Sequence, residues 1–146
     1  MSEEVVRANG IDDPWEDLVV AVLSVNQYSL ERTYLAIDGL RRERIAAPAN
    51  LARWHPQEFE ERLRAAGYDR GAFMTGLFAK RLYALGALIR DRGANACRKV
   101  IGGSDMETIE ALLLPVNGIG PVVLRKFFVL RNINVPPEKA SWPTRG

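Results

Sequence analysis

The chain has 146 residues, of which 47% are hydrophobic and 26% charged. This length and composition predict one domain with a buried core and exclude a disordered chain. Residues 1–69 hold 8 basic and 13 acidic side chains, whereas residues 70–146 hold 12 basic and 5 acidic ones. The excess of positive charge in the second half favours a polyanionic partner, although solvated charged surfaces are common.

The cysteine and hydropathy patterns exclude several classes of protein. A single cysteine, Cys97, excludes internal disulfides and any metal or iron–sulfur site built from several cysteines. The only histidine, His55, adds too little for a zinc site. The longest uncharged apolar run, from Leu18 to Val25, is too short to span a bilayer, and we expect no signal peptide. The sequence therefore predicts a cytoplasmic protein without a metal or a membrane partner.

Helix signals recur along the chain. The first is Asp13-Pro14-Trp15-Glu16, where Asp13 suits an N-cap and Glu16 can complete a capping box. Later helices are marked by Ser29, by a capping box at 104–107, by prolines and by terminating glycines, and they are predicted over 29–42, 50–54, 56–67, 71–92, 105–113 and 121–131. No segment alternates as a strand would. We therefore predict one all-α domain of about six or seven short helices over residues 1–131, followed by a proline-containing tail at 132–146.

The most informative segment runs from Leu112 to Leu124, with the sequence LLLPVNGIGPVVL. A helix ends before Pro115, a Gly-Ile-Gly turn follows, and a new helix begins at Pro121. Gly118 and Gly120 allow a tight turn and a close approach of another backbone, and Ile119 between them is expected to point inward as an anchor. The segment predicts a short hairpin between two helices.

The second helix of this hairpin is suited to phosphate binding. Its first amides point out of the N-terminus, where the helix dipole is positive. Three basic side chains further along the same helix are placed to add phosphate contacts, namely Arg125, Lys126 and Arg131. The predicted DNA-contacting residues of the hairpin are Asn117, Gly118, Ile119, Gly120, Val122, Val123, Arg125 and Lys126.

This segment resembles the helix-hairpin-helix motif of DNA-binding proteins, over about residues 106–131. The resemblance extends to the endonuclease III-like DNA glycosylases, because Asp17 to Gln27 is similar to their opening apolar helix and the polar turn that follows it. Phe59 to Gly67 and then Lys80-Arg81-Leu82 are similar to the segment between. In order and spacing the similarity covers about residues 14–131.

The resemblance implies a base-excision-repair protein that binds double-stranded DNA, with a damaged or abasic site as the feature recognised. It implies that Asn26 or Gln27 enters the DNA, and it allows a monovalent cation at the hairpin. It also implies a nucleoid-associated location if the source is bacterial. The cysteine cluster that many relatives carry after the hairpin is missing here, so no iron–sulfur cofactor is expected.

The catalytic residues of the family are not matched. Val122 stands where the bifunctional glycosylases have their lysine nucleophile, so AP lyase activity is not expected. Lys126 lies one turn further on and is expected to face solvent or phosphate. No aspartate follows Asp105, and Glu138 is the one carboxylate side chain beyond the hairpin helix, which makes it a weak catalytic candidate. These departures leave both a divergent and a truncated member of the family open.

Three functional hypotheses follow. The chain is a DNA N-glycosylase with an unrecognised carboxylate, Glu138 or Asp17, or it is a catalytically silent relative that binds duplex DNA through phosphates. The third is a helical interaction module whose Gly118–Gly120 turn is only structural and whose basic face binds an acidic protein. Tyr28 has two interpretations as well, stacking on an unpaired base or packing in the core. The oligomeric state is left open.

Overall fold

Nine α-helices make up the part of the chain that the computed structural model describes, which is residues 12–26 and 28–133. No strand occurs among these residues, so the predicted all-α class is confirmed. The helices are α1 (Pro14–Leu23), α2 (Leu30–Tyr34), α3 (Ile37–Arg42), α4 (Pro48–Arg53), α5 (Pro56–Ala65), α6 (Gly71–Arg92), α7 (Ala94–Ile101), α8 (Met106–Leu113) and α9 (Pro121–Leu130).

Most helix starts follow the sequence signals. The carboxylate of Asp13 accepts a hydrogen bond from the amide of Trp15 at 3.0 Å, and the hydroxyl of Ser29 accepts one from the amide of Arg32 at 3.0 Å. The capping box expected at Glu16 is not formed. Its carboxylate instead accepts two hydrogen bonds from Arg41, at 2.7 and 3.0 Å, because a bidentate charged contact is stronger than a reach back to one amide.

The helix count exceeds the prediction at two places. The helix expected over residues 29–42 is divided into α2 and α3, and the side chain at the break, Leu35, is 87% exposed. Helix α7 was not predicted. Its apolar side chains do follow helical spacing, at Ala94, Cys97, Val100 and Ile101, so the signal was present in the sequence, and the helix packs against α1, α6 and α8.

Two helices that are distant in sequence, α1 and α6, pack against each other at the centre of the core. All ten residues of α1 are buried, and the helix contacts α2, α6, α7 and α9. Helix α6 packs against α4 and α5. Gly86 sits at the α4 contact, where an added methyl group would lie 1.8 Å from the carbonyl oxygen of Leu51, so glycine sets how closely the two helices approach.

Helix α6 is long and apolar enough to cross a membrane by length and composition alone. Within the fold it behaves as a core helix, since Phe78, Leu82 and Leu85 are fully buried against its neighbours. Lys80 and Arg81 stand in its middle turns, and Lys80 is exposed. One face of α6 therefore belongs to the core and another carries charge.

Candidate nucleic-acid interface

The segment between α8 and α9 folds as a compact turn. The amide of Val116 donates to the carbonyl of Leu113 at 3.0 Å, and the amide of Ile119 donates to the carbonyl of Val116 at 3.1 Å. Gly118 has a φ of +95°, a conformation that side-chain-bearing residues rarely adopt. Ile119 is only 5% exposed, which confirms that it points inward as an anchor.

The two glycines of this turn differ in whether the fold has room for a side chain at their position. A methyl group at Gly118 would lie 2.5 Å from Cγ and 2.7 Å from Cδ of Arg81, so the turn packs directly on the Arg81 side chain. Gly120 has an extended backbone, and a methyl group there would meet nothing within 4 Å. The fold needs glycine at 118, whereas the space beside Gly120 is open to a ligand.

The first amides of α9 are available at this open side. Along α9, the first amide that donates to a backbone carbonyl is that of Leu124, which bonds the carbonyl of Gly120 at 3.1 Å. Within the described residues the amides of Val122 and Val123 make no backbone hydrogen bond. The side chain of Val123 is buried and that of Val122 half-buried, so these residues offer their amides rather than their side chains to an anion.

The segment after α1, which the structure describes at residues 24–26 and 28 and which is called the 24–28 turn below, is held by side chains from distant parts of the chain. Asn26 has a φ of +60°, which asparagine tolerates better than most residues, and Gln27 lies outside the described residues. Arg70 donates to the carbonyls of Val25 at 3.0 Å and Asn26 at 2.9 Å. The hydroxyl of Tyr68 donates to the carbonyl of Leu23 at 2.6 Å. The turn is therefore fixed through its backbone oxygens.

Lys126 also belongs to this arrangement. Its ammonium donates to the carbonyl of Ser24 and, at 3.1 Å, to that of Tyr28. The expectation that Lys126 faces solvent or a phosphate is therefore wrong, because its ammonium is bonded to these two carbonyl oxygens. Lys126 lies one helical turn beyond the first amides of α9. Lys126 ties α9 to the turn that contains Asn26. Arg125 beside it is half-buried, and Asn117 at the tip of the hairpin is exposed.

A pair of arginines connects the hairpin with the 24–28 turn. The guanidinium carbons of Arg70 and Arg81 lie 5.0 and 5.1 Å from the centre of the same Phe78 ring. Burial lowers the pKa of Arg81, and the nearby charge of Arg70 acts in the same direction, against the opposing effect of Tyr68. Sequence reasoning did not single out Arg70, since nothing in Tyr68-Asp69-Arg70 marks it, and it named Arg81 only within a family-like segment.

We call the surface formed by Arg32, Arg70, Lys80, Arg81 and the 114–120 turn the basic surface. Within the described chain no carboxylate lies within 4.0 Å of the guanidinium of Arg32, Arg70 or Arg81. Arginines elsewhere differ, for example Arg41 and Arg62, which pair with glutamates at 2.7 and 2.6 Å. The basic surface thus presents positive charge that the described residues do not neutralise.

The structure disfavours two of the roles considered above. The Tyr28 ring already has two guanidinium groups over it, Arg70 at 4.1 Å and Arg32 at 4.4 Å, and it meets the Tyr68 ring edge-on with the ring centres 5.6 Å apart, so these contacts compete with stacking on a base. Asp17 is fully buried and lies 3.0 Å from Arg131. The same contact shows that Arg131 is an internal ion-pair partner and not the phosphate ligand that the sequence predicts. Glu138 lies outside the described residues.

Other potential sites are separate from the basic surface. A cleft of about 660 Å³ lies where α1 begins and α7 ends, and its cations include Arg98 and Arg131. Both are paired there, Arg98 with Asp13 at 3.7 Å and Arg131 with Asp12 at 2.8 Å. In the described ranges no group of three or more His, Cys, Asp or Glu residues is arranged to hold a metal ion.

Comparisons with known proteins add no family assignment. No protein-family model matches the chain, and neither a curated protein nor a solved structure matches it. The resemblance to the helix-hairpin-helix glycosylases therefore rests on the sequence motifs alone and stays a prediction.

Proposed function

We propose that this chain is a DNA-binding domain of the helix-hairpin-helix glycosylase type that binds duplex DNA through backbone phosphates. The 114–120 turn and the first amides of α9 would hold one phosphate, and the cations of the basic surface would contact its neighbours. The 24–28 turn would lie against the same DNA. A damaged or abasic site is the feature that we expect the domain to distinguish.

One observation carries this proposal. Segments about 90 residues apart in sequence, the 24–28 turn and the 114–120 turn, are linked through Arg70, Phe78 and Arg81 on a surface whose arginines have no described carboxylate partner. A structural turn alone would not require unneutralised cations beside it, because uncompensated charge opposes folding. A polyanion supplies the missing negative charge.

The proposal does not include AP lyase activity. Val122 cannot form a Schiff base, and the ammonium of Lys126 is directed to the carbonyls of Ser24 and Tyr28. We therefore expect no borohydride-trapped adduct between the protein and abasic DNA. Base release by hydrolysis is a separate activity for which Glu138 is the sequence candidate, and Glu138→Gln tests it in a base-release assay.

The test of DNA binding is fluorescence anisotropy with two duplexes that differ only in one stable abasic-site analogue, over a salt series. We expect binding that weakens as salt rises, since each phosphate contact releases counterions. The decisive variant is Gly120→Ser. A serine hydroxyl at this N-cap position can accept from the free amides of α9, which keeps the helix stable and occupies the phosphate site.

We expect Gly120→Ser to lower DNA affinity about tenfold or more without lowering the thermal midpoint. Gly103→Ser is the matched control, because it makes the same exchange between α7 and α8, outside the basic surface, where an added carbon atom meets nothing closer than 3.4 Å, and its affinity should equal that of the parent. Parent-like affinity in Gly120→Ser, or no binding by the parent, would contradict the proposal. Absence of binding would favour the interaction module with an acidic protein partner.

A further inference from the structure

Leu35 is a large apolar side chain that the fold leaves in solvent. Its exposure of 87% is the highest among the large hydrophobic side chains of residues 12–26 and 28–133. The backbone at this break between α2 and α3 is held by local hydrogen bonds. The amide of Leu35 donates to the carbonyl of Arg32 at 3.2 Å, and the amide of Ala36 donates to the carbonyl of Thr33 at 3.0 Å. Since Thr33 and Ala36 are buried, Leu35 projects from an anchored segment.

A small apolar pocket lies close to Leu35 along the chain. It has a volume of about 200 Å³, and its apolar wall consists of Val19, Val20, Ile37, Leu40, Ala46 and Ala47. Ile37 follows Leu35 by two residues, so the α-carbons of these two residues are at most about 7 Å apart. Pockets for drug-sized ligands usually have about 300 to 1,000 Å³. The smaller volume here suits one aliphatic side chain better than a small-molecule ligand.

Charged side chains stand at the two ends of α3. Asp38 lies in its first turn and Arg44 follows its last residue by two positions, and both are exposed. Arg44 also lines the pocket, where the other arginine, Arg41, is paired with Glu16 at 2.7 Å. Within the described residues no oppositely charged group lies within 4.0 Å of Asp38 or Arg44. One acid and one base on this segment are therefore available for a partner.

The backbone of Arg44 has a conformation that favours glycine. Its φ is +55°, a value that residues with a side chain rarely adopt. Arg44 ends α3 in a Schellman arrangement, in which its amide donates to the carbonyl of Arg41 at 3.1 Å and the amide of Ile45 donates to the carbonyl of Leu40 at 3.2 Å. Glycine is the usual residue at this position. The helix end thus does not explain the arginine, whose guanidinium stands beside the pocket.

We propose that residues 35–47 form a two-fold interface between two copies of this chain, independently of the proposed function. Leu35 of each copy enters the pocket of the other, and Asp38 of each copy pairs with Arg44 of the other. A two-fold contact requires a surface that is complementary to itself. Leu35 and Asp38 lie toward the N-terminal end of α3 and Arg44 follows its C-terminal end, so an antiparallel approach of two α3 helices brings both pairs together. A second copy is the favoured partner because one segment supplies both halves of each contact.

The experiment is sedimentation equilibrium of the full chain from about 10 μM to about 1 mM, since a small interface gives weak association. The proteins are the parent, Leu35→Ala, Phe73→Ala, Asp38→Arg and Arg44→Asp, and an equimolar mixture of the last two. Phe73→Ala is the matched control because Phe73 is an apolar side chain that is 80% exposed on α6, outside residues 35–47. Circular dichroism of each variant verifies that the helical fold is kept.

We expect a parent dimer with a dissociation constant on the order of 100 μM, and the same value for Phe73→Ala. Leu35→Ala should dimerise at least about tenfold more weakly, because two buried leucines are lost. Asp38→Arg and Arg44→Asp should each dimerise about tenfold more weakly, because each variant brings like charges together twice.

The mixture of Asp38→Arg and Arg44→Asp is the decisive sample. In the mixed dimer every charge meets its opposite, so the mixture should associate as the parent does, although neither variant does so alone. The inference is overturned if the mixture associates no better than its components, or if Leu35→Ala dimerises as the parent does. It is also overturned if Phe73→Ala loses as much as Leu35→Ala. A parent that is monomeric at about 1 mM overturns it as well and leaves the pocket to a different protein.

Discussion

Arg131 and Asp17 join the two ends of the described fold. Nη1 of Arg131, just after α9, lies 3.0 Å from Oδ2 of Asp17 in α1, and the two side chains are 11% and 1% exposed. Burial opposes the charge of Arg131, but hydrogen bonds to Asp17 and Asp12 raise its pKa overall. The pair fixes α9 on α1 and so holds the helix that carries the candidate phosphate site.

Removal of this pair should cost stability. We expect Arg131→Met to lower the free energy of unfolding by about 3 to 5 kcal/mol, because it takes the cation from a buried carboxylate. Asp12→Ala is the control. The Asp12 side chain is 78% exposed, so its loss should cost less than about 1 kcal/mol. Chemical denaturation measures both values, and equal losses in the two variants would show that burial does not set the strength of this contact.

Two glycines of α6 should respond in opposite directions to the same substitution. Gly86→Ala places a methyl group 1.8 Å from the carbonyl oxygen of Leu51, and we expect a loss of about 2 kcal/mol or more as α4 and α6 are forced apart. Gly76→Ala meets nothing closer than 3.6 Å and should gain about 0.5 to 1 kcal/mol from helix propensity. Thermal unfolding of the two variants beside the parent decides this. A gain at Gly86 would show that the helices are not in contact there.

Tyr68 should make stability depend on alkaline pH. Burial raises its pKa from 10.0 to about 12, against a smaller opposing effect of Arg70. Between these values the unfolded chain loses the proton and the folded chain keeps it, so stability is full below about pH 10 and falls as pH rises through the folded pKa. The two-unit shift corresponds to at most about 3 kcal/mol. Denaturant unfolding between about pH 8 and 11 measures the decline.

Tyr68→Phe is the matching variant for that series. It removes the hydroxyl that donates to the carbonyl of Leu23, so it should be less stable than the parent near neutral pH by about 1 to 3 kcal/mol. It should also lack the part of the alkaline decline that Tyr68 causes. If the parent and Tyr68→Phe declined in parallel above pH 10, other groups would be responsible.

Lys80 and Lys126 should have different roles in DNA binding. Lys80 is exposed on the basic surface, so Lys80→Met should leave stability unchanged and reduce the salt dependence of binding by about one counterion. Lys126 donates to the carbonyls of Ser24 and Tyr28, so Lys126→Met should lower stability by about 1 to 3 kcal/mol and disturb the 24–28 turn. Anisotropy over a salt series, together with unfolding curves, separates the two effects. A stability loss in Lys80→Met would contradict this assignment.

Local signals in the sequence determined much of the helical framework. Asp13 and Ser29 cap the helices that they were expected to cap, and α6 runs from Gly71 to Arg92 as predicted. The 114–120 turn, the inward side chain of Ile119 and the start of α9 at Pro121 also agree with the prediction. These features depend on residues within a few positions of one another, because capping, proline geometry and glycine conformation act through the local backbone.

Tertiary structure alone decided the features that depend on distant residues. The break between α2 and α3 and the Glu16–Arg41 pair arise from packing and from side chains 25 residues apart. The same holds for the candidate interface, since sequence placed Arg70, Arg81 and Lys126 in separate segments. Only the fold brings Arg81 onto Gly118 and the other two onto the carbonyls of the 24–28 turn. Contacts between distant segments leave no periodic or local mark in a sequence, because they form only when the core positions the helices.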